Sequence, residues 1–128
     1  MKTIKFTIPI FDVDVRLMQV EEGKDKEQAL SILRQNNATE EILQEVEGEI
    51  DRKSTDGGVA FWNKGTHTAV IVFYPMTDRN TMLKCYSHEK RHLEDRVLEC
   101  CGINDRETAG YLAGHLEQYF VELAEIKE

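Results

Sequence analysis

The hydrophobic pattern of this sequence changes its period at Pro75. Alternating or continuous apolar runs near the N-terminus and just before Pro75 are typical of strands; after Pro75, apolar residues recur every three to four residues as far as about Ala124. A period of two is typical of strands and a period of about 3.6 of helices. The change therefore predicts an α+β fold, in which a small antiparallel or mixed sheet packs against helices and the chain ends in a helical hairpin.

Alternation near the N-terminus is interrupted once. It runs from Ile4 to Ile10, slips by one residue at Phe11 and resumes from Val13. The slip predicts either two strands or one strand bent at a bulge, and Pro9 favours an edge position.

A second strand pair is expected after the loop at 54–58. Residues 59–63 and 66–75 lie on either side of a turn at Asn63-Lys64-Gly65, a pattern typical of a β-hairpin with a short turn. The run from Val70 to Phe73 is the most apolar in the sequence. It should form the best-buried strand.

Two shorter helices are expected between the strand pairs. The first covers about Asp25 to Arg34, and the second begins near a capping Thr39 and extends to Ile50. Their inward residues should be Ala29, Leu30 and Leu33 in the first helix, and Ile42, Leu43, Val46 and Ile50 in the second.

The chain after Pro75 predicts an αα-hairpin with a tight turn. The first helix should begin between Asp78 and Thr81 and end near Cys101, where Gly102 can adopt the left-handed conformation that ends a helix. Asn104 would then cap the second helix.

Length and charge restrict the class of protein. The 128 residues suit a single domain, 1–128, and the net charge of −8 disfavours a nucleic-acid-binding protein, which needs a clustered basic face. No apolar run reaches the roughly 18 residues of a membrane span. Three cysteines, Cys85, Cys100 and Cys101, make no paired framework, which favours reduced thiols in a cytoplasmic protein.

The segment YSHEKRHLED, residues 86–95, contains two histidines four apart with a glutamate after the first. On a helix, His88 and His92 lie one turn apart and can both bind Zn²⁺, while Glu89 lies beside a metal-activated water. Zinc would acidify that water, and Glu89 would accept its proton as general base. The alternative is a polar helix face that carries two solvated histidines.

A second motif follows in ETAGYLAGHL, residues 107–116. With it, residues 88 to about 120 resemble small HExxH zinc metallopeptidases, gluzincin-like proteins often encoded by phages or mobile elements. The resemblance implies a minimal zincin-like fold with His88, His92 and Glu107 as zinc ligands and Glu89 as catalytic base. It further implies that Tyr111 orients a ligand or the substrate oxygen.

The third ligand has alternatives. If the two helices are straight and antiparallel, Glu107 lies closer to the turn than His92 does, and His115, Gln118 or Glu122 would lie nearer the level of His92. Asn104 and Glu107 also have the spacing of a capping box, in which the glutamate binds no metal.

Four other side chains have expected roles, and for Asp95 two roles are open. Asp95 could accept a hydrogen bond from a ligand histidine, or pair with Arg91 or Arg96 on the surface. Cys85 is expected to be a small helix-face residue, and His67 a plain strand histidine. Lys90 falls at the border of the apolar side of the predicted HExxH helix and would have to extend its amine towards water.

Two functions follow from these residues. The first is a zinc-dependent hydrolase that cleaves peptide bonds in a peptide or protein substrate held against a sheet edge. The second is a catalytically inactive zincin-like module that binds a partner or uses zinc to fix the helical hairpin.

Overall fold

The computed structural model describes residues 1–126 and contains one four-stranded sheet. The strands are β1 (Lys2–Ile8), β2 (Val13–Gln19), β3 (Gly58–Asn63) and β4 (Thr68–Phe73), and the helices are α1 (Lys26–Gln35), α2 (Glu40–Asp51), α3 (Arg79–Cys100) and α4 (Arg106–Glu125). A short 3-10 turn, Gly23–Asp25, precedes α1. The α+β class and the mixed sheet are confirmed.

The strand order across the sheet is β1-β2-β4-β3. Both outer pairs are antiparallel, whereas the central strands β2 and β4 are parallel, with Leu17 opposite Ile71. The slip at Phe11 marks a turn between two strands, in which Asp12 has a φ of 52°, so the two-strand interpretation is confirmed. β3 and β1 are the edges, and β4 is buried from Ala69 to Phe73 as expected.

Helices cover both faces of the sheet. The core beneath α3 and α4 is formed by Ile4, Phe6, Ile8, Phe11, Val13, Val15, Leu17, Ala69, Ile71, Phe73, Tyr86, Leu93, Val97, Leu112, Leu116, Phe120 and Leu123. A second core lies on the α1 and α2 side. On the first face α3 packs on β3 and β4, while α4 packs on β1 and β2. This division places α3 beside the free edge of β3.

The ends of the helices follow local capping chemistry. Thr39 accepts a hydrogen bond from the Ile42 amide at 3.2 Å, and the Asp78 carboxylate accepts two amides at the start of α3. Gly102 has a φ of 67° and ends α3 as expected. Among residues 1–126, no helix combines the length and the apolar composition needed to cross a bilayer.

One expectation about the C-terminal hairpin is corrected. The residue that caps α4 is Asp105, not Asn104, because its carboxylate accepts the Thr108 amide at 3.0 Å. The spacing of Asn104 and Glu107 therefore makes no capping box. Leu83 near the start of α3, and Cys100 and Cys101 at its end, are exposed.

Candidate metal centre

The middle of α3 presents the HExxH segment to the outer side of the helix next to β3. Tyr86, Leu93 and Val97 are buried against the sheet and fix the rotation of α3 about its axis. His88 and His92 consequently lie on the exposed side, one turn apart, whereas Glu89 points to the junction of α3 with the sheet and is 7% exposed.

The three side chains come together. The Nε2 atoms of His88 and His92 are 3.1 Å apart, and donor atoms of these residues and Glu89 all lie within 4.8 Å of one another. Two nitrogens at that separation can both lie about 2.0–2.1 Å from one Zn²⁺. Imidazole nitrogens and a carboxylate also suit other divalent transition metals. The donor set therefore fits a divalent metal ion without movement of the helix.

Glu89 has an unusual environment for a carboxylate. Burial raises its pKa, the charges of His92 and His88 oppose this effect, and Glu45 adds to it. Loss of solvation disfavours the charged form. The side chain thus combines a raised affinity for protons with a position next to both imidazoles.

A groove of about 490 Å³ runs between α3 and β3. Glu89, His92 and Leu93 line its helix side, and Gly58, Ala60 and Trp62 line its strand side. Because β3 pairs with β4 alone in this sheet, the outer backbone groups of β3 are available to a further strand.

Charged side chains lie at one end of the groove, a position that the sequence did not predict for them. Lys64, Arg96 and Glu99 line it, and neither cation has an ion-pair partner among residues 1–126. Arg96 is one helical turn after His92, a spacing that could have identified it. Lys64 and Trp62 come from the hairpin, so a local pattern gives no comparable signal for them.

Glu107, Tyr111 and His115 lie elsewhere in the described part of the chain. Glu107 and Tyr111 are exposed on α4, and Tyr111 stacks on His115 with ring centroids 6.2 Å apart. His115 contacts Tyr119, which stacks on Phe6 of β1 at the opposite edge of the sheet.

The position of Lys90 explains why α4 is remote from the histidines. Its amine lies 2.8 Å from Glu94 and 3.4 Å from Glu117 of α4. The side of α3 that faces α4 is therefore the Lys90 side, away from His88 and His92. The structure does not bring Glu107, Tyr111 or His115 to the cluster, and the third ligand remains a prediction that this arrangement does not support.

Comparison with protein families, with curated proteins and with solved structures finds no match to this chain. The resemblance to zinc metallopeptidases therefore depends on the two sequence motifs alone, and the geometry of the site is the evidence for metal binding.

The remaining candidates have structural partners. Asp95 lies 3.4 Å from the Arg91 guanidinium, which favours the surface-pair interpretation. The Cys85 sulfur accepts the Gly57 amide at 3.3 Å. His67 is not in a strand as expected: it occupies the β3–β4 turn with a φ of 49°, because β4 begins one residue later.

Proposed function

We propose that this protein is a metal-dependent hydrolase that cleaves peptide bonds at the groove between α3 and β3. The observation that carries the proposal is the cluster of His88, Glu89 and His92, whose two Nε2 atoms are 3.1 Å apart and of which Glu89 and His92 line that groove. A metal held by this cluster would activate water, and the free edge of β3 beside it could bind an extended peptide.

Zn²⁺ is the proposed cofactor, held by His88 and His92. Once bound, it supplies Lewis acidity and lowers the pKa of water towards neutrality. The exposure of both imidazoles leaves solvent access to the ion, which a hydrolytic site requires.

Glu89 is the proposed general base. Its carboxylate accepts a proton from the attacking water and later donates that proton to the leaving nitrogen. The burial that raises its pKa supports this role, because a base with a raised pKa holds the proton more readily between the two steps.

The proposed substrate is an extended peptide that adds to the edge of β3. Main-chain hydrogen bonds to the strand would set the register, and groove side chains would select residues. Trp62 offers an apolar surface, while Lys64 and Arg96 offer positive charge.

Glu107 as third ligand and Tyr111 as an orienting residue remain parts of the proposal that need α4 or the substrate-bound state to differ from this arrangement. A second candidate function arises because α4 supplies no third ligand in this arrangement. If Glu89 itself binds the metal as the third protein donor, no base remains, and the domain is an inactive zincin-like module. The presence of Glu89 within the donor cluster favours this alternative.

A reducing, cytoplasmic setting belongs to the proposal. Cys85, Cys100 and Cys101 are free thiols, which is the usual state of cysteine in that compartment. A role in a phage or mobile element rests on the motif resemblance alone.

The test compares metal content and peptide cleavage in wild type and Glu89→Gln, with Asp95→Asn as a matched control on the exposed surface of α3. We expect wild type and control to bind about one equivalent of Zn²⁺ at the His88–Glu89–His92 cluster and to cleave a mixed peptide library. Glu89→Gln should keep the metal and lose at least about 10²-fold in rate, as expected for a general base. Loss of metal together with activity in Glu89→Gln would favour the module, and absence of Zn²⁺ from folded wild type would refute the hydrolase.

A further inference from the structure

A histidine and a cysteine, two residue types that can bind metals, meet where the β3–β4 turn approaches the end of α3. His67 is the last residue of the turn, and Cys100 is the last residue of α3. The Cys100 sulfur and the His67 Nε2 atom are 3.5 Å apart. They line a cavity of about 450 Å³ that shares Trp62, Lys64, Arg96 and Glu99 with the groove of the first site.

The separation of the two donor atoms matches a shared metal ion. With Zn–S about 2.3 Å and Zn–N about 2.0–2.1 Å, the observed 3.5 Å corresponds to an angle of about 107° at the ion, close to tetrahedral. In the metal-free protein, the same separation suits a thiol–imidazole hydrogen bond.

The backbone holds His67 towards α3. Its φ of 49° is in the left-handed region, where histidine is enriched relative to most non-glycine residues. The His67 carbonyl accepts the Asp14 amide at 3.1 Å, which anchors the turn to β2, and the ring lies against Trp62 with centroids 6.3 Å apart.

The electrostatic environment has contributions of both signs. Cys100 ends a helix, and the negative end of a helix dipole favours a cation. Glu99 lines the same cavity, whereas Lys64 and Arg96 oppose a cation there.

Cys100, and not the adjacent Cys101, is the thiol that faces the turn. Its sulfur lies 3.5 Å from the His67 Nε2 atom, and Cys100 lines the cavity together with His67.

We propose that His67 and Cys100 form a second site for a divalent cation of the Zn²⁺ type, with solvent completing the coordination. The Cys100 thiol releases its proton to solvent when the metal–sulfur bond forms. Cys100 is eight residues after His92, roughly 12 Å along the helix, so one ion cannot serve both sites. A bound ion would tie the turn to the end of α3 and close that end of the groove, whether or not the first site is hydrolytic.

The experiment is a Co²⁺ titration of the reduced, metal-free full chain, followed by the near-ultraviolet thiolate-to-cobalt charge-transfer absorption. The first site offers nitrogen and oxygen donors without a thiolate, so this band reports the second site. Cys100→Ser and His67→Asn remove the donors, and asparagine tolerates the left-handed conformation of residue 67. Cys101→Ser is the matched thiol control, and the double variant His88→Ala, His92→Ala removes the first site.

We expect the band in wild type and in both controls. Cys100→Ser should lose it, and His67→Asn should raise the half-saturating Co²⁺ concentration by at least about tenfold, since even the loss of a group that only orients a ligand costs about 10- to 100-fold in metal affinity. Circular dichroism and thermal melting verify that each variant folds, and Cys100→Ala serves as the second variant if the serine destabilises the chain. The proposal is overturned if wild type gives no band, if the band survives in Cys100→Ser, if it disappears in Cys101→Ser, or if His67→Asn binds Co²⁺ as wild type does.

Discussion

Glu89 is the proposed general base, and burial of its carboxylate lowers the free energy of unfolding at neutral pH. It is a buried carboxylate whose pKa is raised above its ordinary value of 4.5, first by burial. Between that value and the raised pKa, the folded state binds more protons than the unfolded state. Stability therefore falls as pH rises through this window.

We predict that Glu89→Gln stabilises the metal-free protein at neutral pH by roughly 0.5–2 kcal/mol, the usual gain when a functional residue that strains the fold is replaced. The neutral amide removes the desolvation penalty of the carboxylate. Urea unfolding of wild type and variant between pH 4 and 8 measures the effect. The wild-type stability should decline with pH across the window more steeply than that of the variant. Equal stability of the two at pH 7 would contradict this account of Glu89.

For single residues, the sequence predicts a site well when its members are close together along the chain, and poorly when they come from different elements. The spacing of His88 and His92 fixes their proximity once the segment is helical, and the cluster confirms that proximity. The position of Glu107 depends on which side of α3 meets α4, which Lys90 and Glu117 reveal only in the folded chain. For the same reason, a local pattern does not join His67 to Cys100.

Among the elements, β3 carries the substrate part of the proposal. The Tyr74 amide donates to the Gly57 carbonyl at 3.1 Å, and the register places Gly58 opposite Phe73 and Ala60 opposite Ile71. Because hydrogen-bonded and non-hydrogen-bonded pairs alternate in an antiparallel ladder, the backbone of Ala60 points away from β4. Its N–H is available at the free edge.

We predict that Ala60→Pro lowers peptide cleavage while leaving metal binding and the sheet intact. Proline removes an N–H that makes no ladder bond, and edge strands tolerate it. The loss in kcat/KM should be about two- to tenfold, the equivalent of one hydrogen bond. Ala60→Ser keeps the N–H and serves as the matched control. Unchanged cleavage by the proline variant would exclude this edge as the peptide-binding strand.

The elements themselves were largely predictable because their signals are local. Alternation located β1 and β2, and Gly102 located the end of α3 with the φ of 67° that the turn requires. The parallel contact of β2 with β4 joins segments about fifty residues apart, and a pattern of two or 3.6 residues contains no information on such pairing. The capping residue of α4 differed by one position because Asn104 and Asp105 are both good caps.

For the molecule as a whole, the first metal site should contribute to global stability. An ion that binds the folded state alone stabilises it by about 2.7 kcal/mol when its concentration is a hundred times Kd. In a cooperative single domain of this size, that gain raises Tm by roughly 8–15 °C. His88, Glu89 and His92 all lie on one helix, however, so part of the site can form whenever α3 is helical.

We therefore predict that Zn²⁺ raises Tm by less than this upper value, because transient helix in the unfolded chain also binds the ion and lowers the differential affinity. Thermal unfolding of metal-free protein across a Zn²⁺ series measures the shift, with Mg²⁺ as the comparison ion, since it prefers oxygen donors. The double variant His88→Ala, His92→Ala should lose most of the shift, and Cys100→Ser should retain the part due to the first site. A shift that is equal in wild type and in the histidine double variant would show that α3 does not hold the stabilising ion through its HExxH segment.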